Sequence, residues 1–301
     1  MSASLIYYQD CPFCHSQDIH PLLVAKDHTV SKENFEIWHC GQCTNRFTQS
    51  IPDLHHIGPY YHAEAYVSHT DTNKGLINQL YHWVRSYTLG NKRRLIKSIS
   101  GLQAGSLLDI GAGTGAFAHT MSVAGWNVTA LEPDAVAREN AANKYGLKLQ
   151  AADEIYTLPE NAFDVITLWH VLEHVHDIHG YFERFRKLLK PHGKLVIAVP
   201  NYTSKDATVY GQHWAAWDVP RHLYHFSPAG MQHLAHLKGF NVTEMYPMWF
   251  DAFYVSMLSE QYKTGSSQLV SAFWNGLRSN IRALGDKRKC SSVIYIMSRN
   301  S

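Results

Sequence analysis

The sequence predicts a doubly wound α/β sheet preceded by a small cysteine-bound module. Three observations carry that prediction. Leu107–Leu108–Asp109–Ile110–Gly111–Ala112–Gly113–Thr114–Gly115 has the pattern of a buried strand that ends in an acid and turns through three glycines into a helix, the layout that seats a small molecule at the carboxyl edge of a parallel sheet. Strand and helix patterns alternate through 101–200 at the spacing of βαβ units. Ahead of them stand two CxxC pairs, Cys11–Pro12–Phe13–Cys14 and Cys40–Gly41–Gln42–Cys43, with 25 residues between the pairs.

Size and composition allow this. The 301 residues are 45% hydrophobic and 12% aromatic, enough for one large core or two smaller ones. A formal charge of +2 gives no electrostatic argument for nucleic acid or a membrane. The first ten residues lack a basic n-region and a long apolar run. No stretch approaches the roughly 18 uninterrupted apolar residues of a membrane span. The expectation is a cytoplasmic protein in three parts, 1–58, 59–100 and 101–301.

In residues 1–58, Cys11, Cys14, Cys40 and Cys43 form two tight knuckles, with Pro12 and Gly41 favouring the turns. Four thiolates suit tetrahedral zinc, and with every position filled by protein the site is expected to be structural. Residues 21–24 and 35–38 read as short strands of this zinc ribbon. His15 and His39 each abut a cysteine and read as knuckle surface. A thioredoxin-like role would need one CxxC opening a helix inside a βαβ unit, which is lacking here. The module carries three basic and six acidic residues, a balance of −3. That makes a poor phosphate-binding surface and favours a scaffold or substrate-recognition role.

Residues 59–100 form a connector. The aromatic run 59–69 precedes a helix over about 76–99, with Leu76, Ile77, Leu80, Trp83, Val84 and Tyr87 at helical spacing. Tyr61, Tyr66 and Ser68 are read either as core or as a cover over a bound cofactor. Lys92, Arg93 and Arg94 read as a solvated helix face.

The cofactor half follows in order. Strands are expected at 106–110, 126–131, 147–149, 163–168 and 195–199, with helices at 114–124, 134–145 and 181–189. Gly125 and Gly146 stop the first two helices. The fourth strand is apolar almost throughout, as a strand buried on both faces should be. The glycine pattern is GxGxG, and its weight comes from its place between strand and helix. Asp109 can anchor a cationic group. Glu132 lies 21 residues after Gly111 at the end of the second strand, where an acid can accept ribose hydroxyls. These residues alone leave a nicotinamide dehydrogenase open.

The motifs Asp109–Ile110–Gly111–Ala112–Gly113–Thr114–Gly115, Leu131–Glu132–Pro133–Asp134, Phe163–Asp164–Val165–Ile166 and Leu188–Leu189–Lys190–Pro191–His192–Gly193 occur in one order. In that order the chain resembles class I S-adenosylmethionine-dependent methyltransferases over about two thirds of its length. The resemblance implies a Rossmann-like seven-stranded sheet with an antiparallel last strand. It implies a glycine loop, Asp109 with Gly111, Ala112, Gly113 and Gly115, that holds the methionine part of the cofactor. It places Glu132 at the ribose with Pro133 also at the cofactor, Asp153 near adenine ahead of Ala152 and Glu154, Trp169 and His170 flanking the cofactor, and Tyr61, Tyr66 and Ser68 over it. The segment His170–Val171–Leu172–Glu173–His174 also fits HxxEH, a zinc-protease pattern. Its place directly after the fourth strand fits the methyltransferase order better. It is similar to V-L-E-H segments of ubiquinone-biosynthesis O-methyltransferases, in which nearby acids are associated with a divalent metal, although His170 stands here where an acid is expected. His176 and His179 read as surface.

The substrate half begins after Pro200–Asn201. Residues 211–228 are dense in Trp, His, Tyr and Arg, and part of the stretch must be an ordered loop held by buried tryptophans. Asp218, Arg221, His222, Tyr224 and His225 read as more polar groups than packing alone requires. The stretch resembles the D-x-P-R-H-x-x-H-F-S segment of ribbon-bearing bacterial methyltransferases associated with saccharides and secondary metabolites. Ser227 and Pro228 start a helix. Strands are expected at 241–246 and 292–297, with helices between them at about 251–262 and 267–284. The second of these reads as core or a homodimer face, or as a hydrophobic substrate wall or membrane-surface contact.

The expected activity is methyl transfer from S-adenosylmethionine to a small-molecule hydroxyl or carbon acid. A histidine would serve as general base, in the order His225, His222, His174. Two other readings stand beside it, an RNA methyltransferase gripping its substrate through the ribbon, and a non-catalytic binding protein that keeps the fold.

Overall fold

The computed structural model describes residues 4–61, 76–266 and 268–300, with the backbone alone for 76–83. Tyr66 and Ser68 lie outside the described residues.

The N-terminal module is built of short antiparallel strands. β1 (Leu5–Ile6) pairs with β5 (Ile51–Pro52), and β3 (Asn34–Cys40) lies between β2 (Ile19–Lys26) and β4 (Arg46–Thr48). β3 alternates as a half-buried strand must, with Phe35 and Ile37 inward and Asn34 and Glu36 outward. After a 3₁₀ turn at Gly58–Tyr61, helix α1 (Leu76–Ser100) leads into the main sheet.

That sheet contains β6 (Ser106–Ile110), β7 (Asn127–Leu131), β8 (Phe163–Trp169) and β9 (Leu189–Pro200), all parallel. Helices α2 (Ala116–Val123), α3 (Ala135–Tyr145) and α4 (Ile178–Leu188) connect them. Asp134 caps α3 by accepting from the Ala137 amide at 2.6 Å, and Gly146 ends it at φ 65°. The strand expected at 147–149 contracts to one parallel bridge between Gln150 and Leu131. Between the left-handed Gly146 and a 3₁₀ turn at Ala152–Tyr156 only Gln150 reaches the edge strand, its amide bonding the Ala130 carbonyl and its carbonyl accepting from the Glu132 amide, both at 2.9 Å.

After β9 come α5 (Lys205–Tyr210), a short strand β10 (Tyr224–His225), α6 (Pro228–Leu237), β11 (Phe240–Pro247), α7 (Asp251–Thr264), α8 (Leu269–Gly285) and β12 (Ser292–Arg299). The order of the six-stranded sheet is β11-β12-β9-β8-β6-β7, and β12 runs antiparallel to both its neighbours. Side chains alternate between two apolar layers. Leu107, Val165 and Val196 face Ile96, Phe117 and Met121, while Leu108, Ile166 and Leu195 face Phe182, Phe185 and Leu234.

β10 does not join that sheet. It pairs antiparallel with β4 of the N-terminal module, Tyr224 opposite Phe47 and His225 opposite Arg46. Phe13 packs its ring 5.0 Å from Tyr224 and 5.7 Å from Phe226, and one apolar cluster runs from Cys11 and Phe47 into the main core. His176 and His179, read as surface residues, instead place Nε2 3.1 Å from the Pro52 carbonyl and 2.9 Å from the Pro12 carbonyl. They too join the module to the sheet.

Candidate active site

The glycine turn leaves β6 with three residues in the left-handed region, Gly111 at φ 66°, Gly113 at 53° and Gly115 at 76°. A Cβ on Gly111 would lie 2.4 Å from Val171, so the loop closes tightly against the chain leaving β8. A Cβ on Gly113 would meet nothing within 4 Å. The open space there is bordered by Glu132, whose Oε2 accepts from the Gly113 amide at 2.7 Å and whose Oε1 accepts from Asp134 at 3.0 Å. Each oxygen keeps a lone pair for a hydroxyl. Burial raises the Glu132 pKa above its ordinary value, against the pull of these amides. Asp153 stands exposed in the turn at Ala152–Tyr156.

Asp109 is 1% exposed and accepts from Thr167 Oγ1 at 2.8 Å. Burial pushes its pKa up to about 7, held back by Thr167 and the Lys92 ammonium. The folded carboxyl thus titrates above its unfolded value near 3.9. The native state binds the extra proton, and stability falls as pH rises from about 4 to 7. Asp109→Asn is expected to stabilise the cofactor-free protein at pH 8 by on the order of 3 kcal/mol and to change little at pH 4, as read by urea unfolding at both values.

Lys92 corrects the sequence reading. It is not part of a solvated face: its Nζ lies 4.1 Å from the centre of the Trp169 ring and is pulled down to about 8 by burial, against the attraction of Asp109 and Asp251. Arg85, two turns earlier, donates to Thr114 Oγ1 at 3.2 Å in the glycine turn. Arg85, Leu89, Lys92 and Ile96 fall on one stripe of α1, with Leu89 and Ile96 packed in the core. Two cations on an apolar stripe were the legible signal for these residues.

Past β8, Trp169 packs edge-on to Phe117 at 5.4 Å. His170 follows with φ 58°, a conformation that costs energy for a side chain of this size. It is held there between Asp251, 2.8 Å from Nε2, and Glu173, 3.3 Å from Nδ1. Burial works against its charge, but the two acids outweigh it and raise its pKa to about 10.

Next to this pair, ligand atoms of Glu173, His174 and His222 lie within 4.8 Å of one another. The His174 Nδ1 lies 3.0 Å from the Arg221 carbonyl and 3.1 Å from the Tyr61 hydroxyl, and the His222 Nδ1 lies 2.8 Å from the Ala216 carbonyl. A carbonyl only accepts, so both rings carry a proton on Nδ1, which leaves Nε2 as the lone-pair atom of each neutral ring; the Nε2 of His222 lies 3.9 Å from Asp218 Oδ2. Burial and then His222 pull the His174 pKa down to about 4. Glu173 is fully buried, and its Oε2 has no hydrogen-bond partner. Tyr61 therefore reaches this cluster through His174.

His225 does not. It is 3% exposed, packs 4.8 Å from Trp217 and has Nε2 3.1 Å from Thr48 Oγ1 inside the joint with β4. Burial lowers its pKa well below the ordinary value. A ring closed in this way has no face for an acceptor, so its first rank among the base candidates is reversed. Asp218 and Arg221 are likewise structural. Arg221, 1% exposed, bonds Asp27 at 3.0 Å and Asp218 at 2.7 Å and also donates to Thr29 and the Tyr60 carbonyl.

At the far end of the module the four cysteines gather. Cys11 and Cys43 have their sulfurs 3.6 Å apart, Cys14 and Cys40 3.7 Å apart. All four sulfurs fall within 4.8 Å of one another. Tetrahedral zinc with bonds of ~2.3 Å sets sulfurs about 3.8 Å apart, so the donor set fits such an ion. His15 and His39 are not in this cluster.

A family profile described as a methyltransferase domain matches residues 82–245, more than half of the chain. The chain belongs to that methyltransferase family. Among curated relatives, the ubiquinone biosynthesis O-methyltransferase of Rickettsia prowazekii is 29% identical over 174 residues, covering 54% of this chain and 67% of that protein. The enzyme of the same description from Rhodopseudomonas palustris strain TIE-1 is 30% identical over 171 residues, covering 52% of this chain and 66% of that protein. Among solved structures, a SAM-dependent methyltransferase from Archaeoglobus fulgidus aligns with a TM-score of 0.47 at 19% identity, over 72% of this chain and 94% of that one.

The methyltransferase is S-adenosylmethionine-dependent and has the Rossmann-like sheet expected of class I. Its matched segment begins inside α1 and takes in the glycine turn, Glu132 and the Glu173–His174 cluster. The cysteine module and His222 are covered differently: residues 1–81 lie outside the match, whereas His222 lies within it.

Proposed function

We propose that the enzyme transfers the methyl group of S-adenosylmethionine to a hydroxyl of a small molecule, with His222 as proton acceptor and His174 beside it. The observation that carries this reading is the pair of imidazoles, His174 just past β8 and His222 from the long loop with its ring 4.7 Å away, both with Nδ1–H fixed on a backbone carbonyl and Nε2 left for an acceptor. The curated relatives, named as O-methyltransferases of ubiquinone biosynthesis, favour oxygen as the methylated atom.

The residues at the edge fit the donor. The open space at Gly113 borders Glu132, Arg85 bonds Thr114 in the same turn, and Asp109 ends the strand that leads into it, a set of groups that suits the polar parts of the cofactor. Asp109 would hold the ammonium, Arg85 and Lys92 the carboxylate, and Glu132 the ribose hydroxyls. Ala112 and Gly115 would shape the turn. Asp153, Pro133, Trp169 and His170 would border the adenine and the sulfur, and Tyr61 would cover them. S-adenosylmethionine supplies an activated methyl group. The chain's part is to orient the acceptor, exclude water and take the hydroxyl proton at His222 Nε2.

The orphan Glu173 Oε2 favours a second reading of the same cluster. Two imidazoles and a carboxylate, with both Nδ1–H groups fixed on backbone carbonyls, form a donor set for a divalent cation. Such an ion would lower the pKa of an acceptor hydroxyl, and His222 would then be a ligand rather than a base.

Zinc held by Cys11, Cys14, Cys40 and Cys43 would fix β4, and through β4 the strand β10 that follows His222. Cys14→Ser with Cys40→Ser is therefore expected to remove zinc by elemental analysis and to lower turnover more than cofactor affinity. Equal losses in both would contradict the scaffold role.

The acceptor class is tested by incubating enzyme and methyl-labelled cofactor with catechols, phenols, glycosides and bulk RNA. Label in low-mass hydroxyl compounds supports the proposal. Label in RNA alone, with binding that weakens steeply as salt rises, would replace it with the RNA reading.

A further inference from the structure

Helix α8 is built inside out. The face turned to the body carries small or polar residues, Ala272, Gly276, Ser279, Asn280 and Ala283, all buried. Gly276 has Phe253 so close that a Cβ would come within 2.8 Å of its ring, so α8 is pressed onto α7. The large apolar side chains lie on the outer side, Phe273 with one ring face stacked on Phe253 of α7 at 5.5 Å. Leu269 is 61% exposed, Val270 74%, Phe273 53%, Trp274 54%, Ile281 55% and Leu284 74%. At about 100° per residue they fill one continuous sector along the whole helix. Water is a poor solvent for such a face, and a patch this large on a surface helix marks a contact.

Charge says with what. α8 contains no acid, and Arg278 and Arg282 border the apolar sector next to Trp274. Lys287, Arg288 and Lys289 follow at its end, against Asp286 alone. The chain as a whole carries only +2, so this basic border is local. An apolar sector with Trp and Phe, flanked by arginines, is the pattern of a helix lying in the interface of a membrane with anionic headgroups.

We propose that α8 docks the enzyme on an anionic lipid surface, with Leu269, Phe273, Trp274 and Ile281 in the acyl boundary and Arg278 and Arg282 on the headgroups. This is independent of which acceptor the enzyme methylates. It does place the site near the bilayer, because α7, against which α8 packs, begins with the Asp251 that bonds His170.

The test is co-sedimentation of the full chain with vesicles of phosphatidylcholine containing about 30% phosphatidylglycerol, and with phosphatidylcholine alone. Binding to the mixed vesicles, at least about tenfold weaker to the neutral ones and in high salt, is expected. Phe273→Ser with Trp274→Ser, and separately Arg278→Gln with Arg282→Gln, should each lose about tenfold in binding while keeping the thermal unfolding of the parent. No binding by the parent, or binding unchanged in both variants, would overturn the proposal. So would a stable dimer in solution that the Phe273 and Trp274 changes dissociate, since the face would then belong to a second copy.

Discussion

Arg221→Met is expected to cost about 3 kcal/mol of folding stability at pH 7, the largest stability loss of any single substitution considered for this protein. The guanidinium is 1% exposed and sits between two carboxylates, Asp27 from the cysteine module and Asp218 from the long loop. Without it both acids stay in place with one partner fewer. Asp27 would still accept from the amides of Thr29, Val30 and Ser31 and from two hydroxyls, which keeps the loss at the low end for a broken buried pair. The sign of the pH dependence follows. Burial opposes the charge on Asp27, but Arg221 and the amides outweigh it and hold its pKa below the ordinary value. Its stabilising contribution is present above about pH 4 and fades as pH falls further. The gap between parent and variant should therefore narrow in acid. Urea unfolding of Arg221→Met and of Asp27→Asn with Arg221→Met gives the check: the double variant should recover part of the loss.

His222→Ala is expected to lower turnover by about 10²–10⁴ with little change in S-adenosylmethionine affinity, the range general-base removal gives. His174→Ala should lose less, because a ring pulled to about 4 by burial is a weak proton acceptor and serves to orient. His225→Ala should behave in the opposite way. It removes a buried ring from the joint between β4 and β10, so it should lower the unfolding midpoint while folded enzyme keeps its rate. Turnover and cofactor binding measured on all three variants separate these roles. If turnover in the parent rises sharply with added magnesium or manganese and His222→Ala loses that response, the cluster acts through a cation instead.

The sequence carries the donor side of this enzyme far better than the acceptor side. A strand, three glycines and an acid at the next strand end are local patterns, and local patterns keep their meaning when the chain folds. Glu132 and the glycine turn meet as the spacing suggests, through the 2.7 Å bond from the Gly113 amide. The four cysteines are legible for the same reason, since two knuckles prescribe their own geometry. Residues 211–228 are not. Their polar groups suggested chemistry, yet Arg221, Tyr224 and His225 are used to weld the module to the sheet, with partners at Asp27, Phe47 and Thr48 more than 170 positions away. Nothing within the loop states that pairing. Lys92 failed the other way: the run of three bases looked solvated, and only the apolar stripe shared with Leu89 and Ile96 marks it as turned inward. The missing seventh strand has a plainer cause: of the five residues between Gly146 and the turn at Ala152, only Gln150 pairs with the edge strand.

Whether the glycine turn and Glu132 hold the methyl donor is decided by calorimetric titration of S-adenosylmethionine into the parent and into Glu132→Ala, with unfolding curves to show both are folded. Loss of two charge-assisted contacts to the ribose would weaken binding by about 3 kcal/mol, or roughly a hundredfold. One-site binding by the parent and a loss of that size in the variant are expected. Failure of the folded parent to bind, or equal affinity in the two proteins, would contradict that assignment.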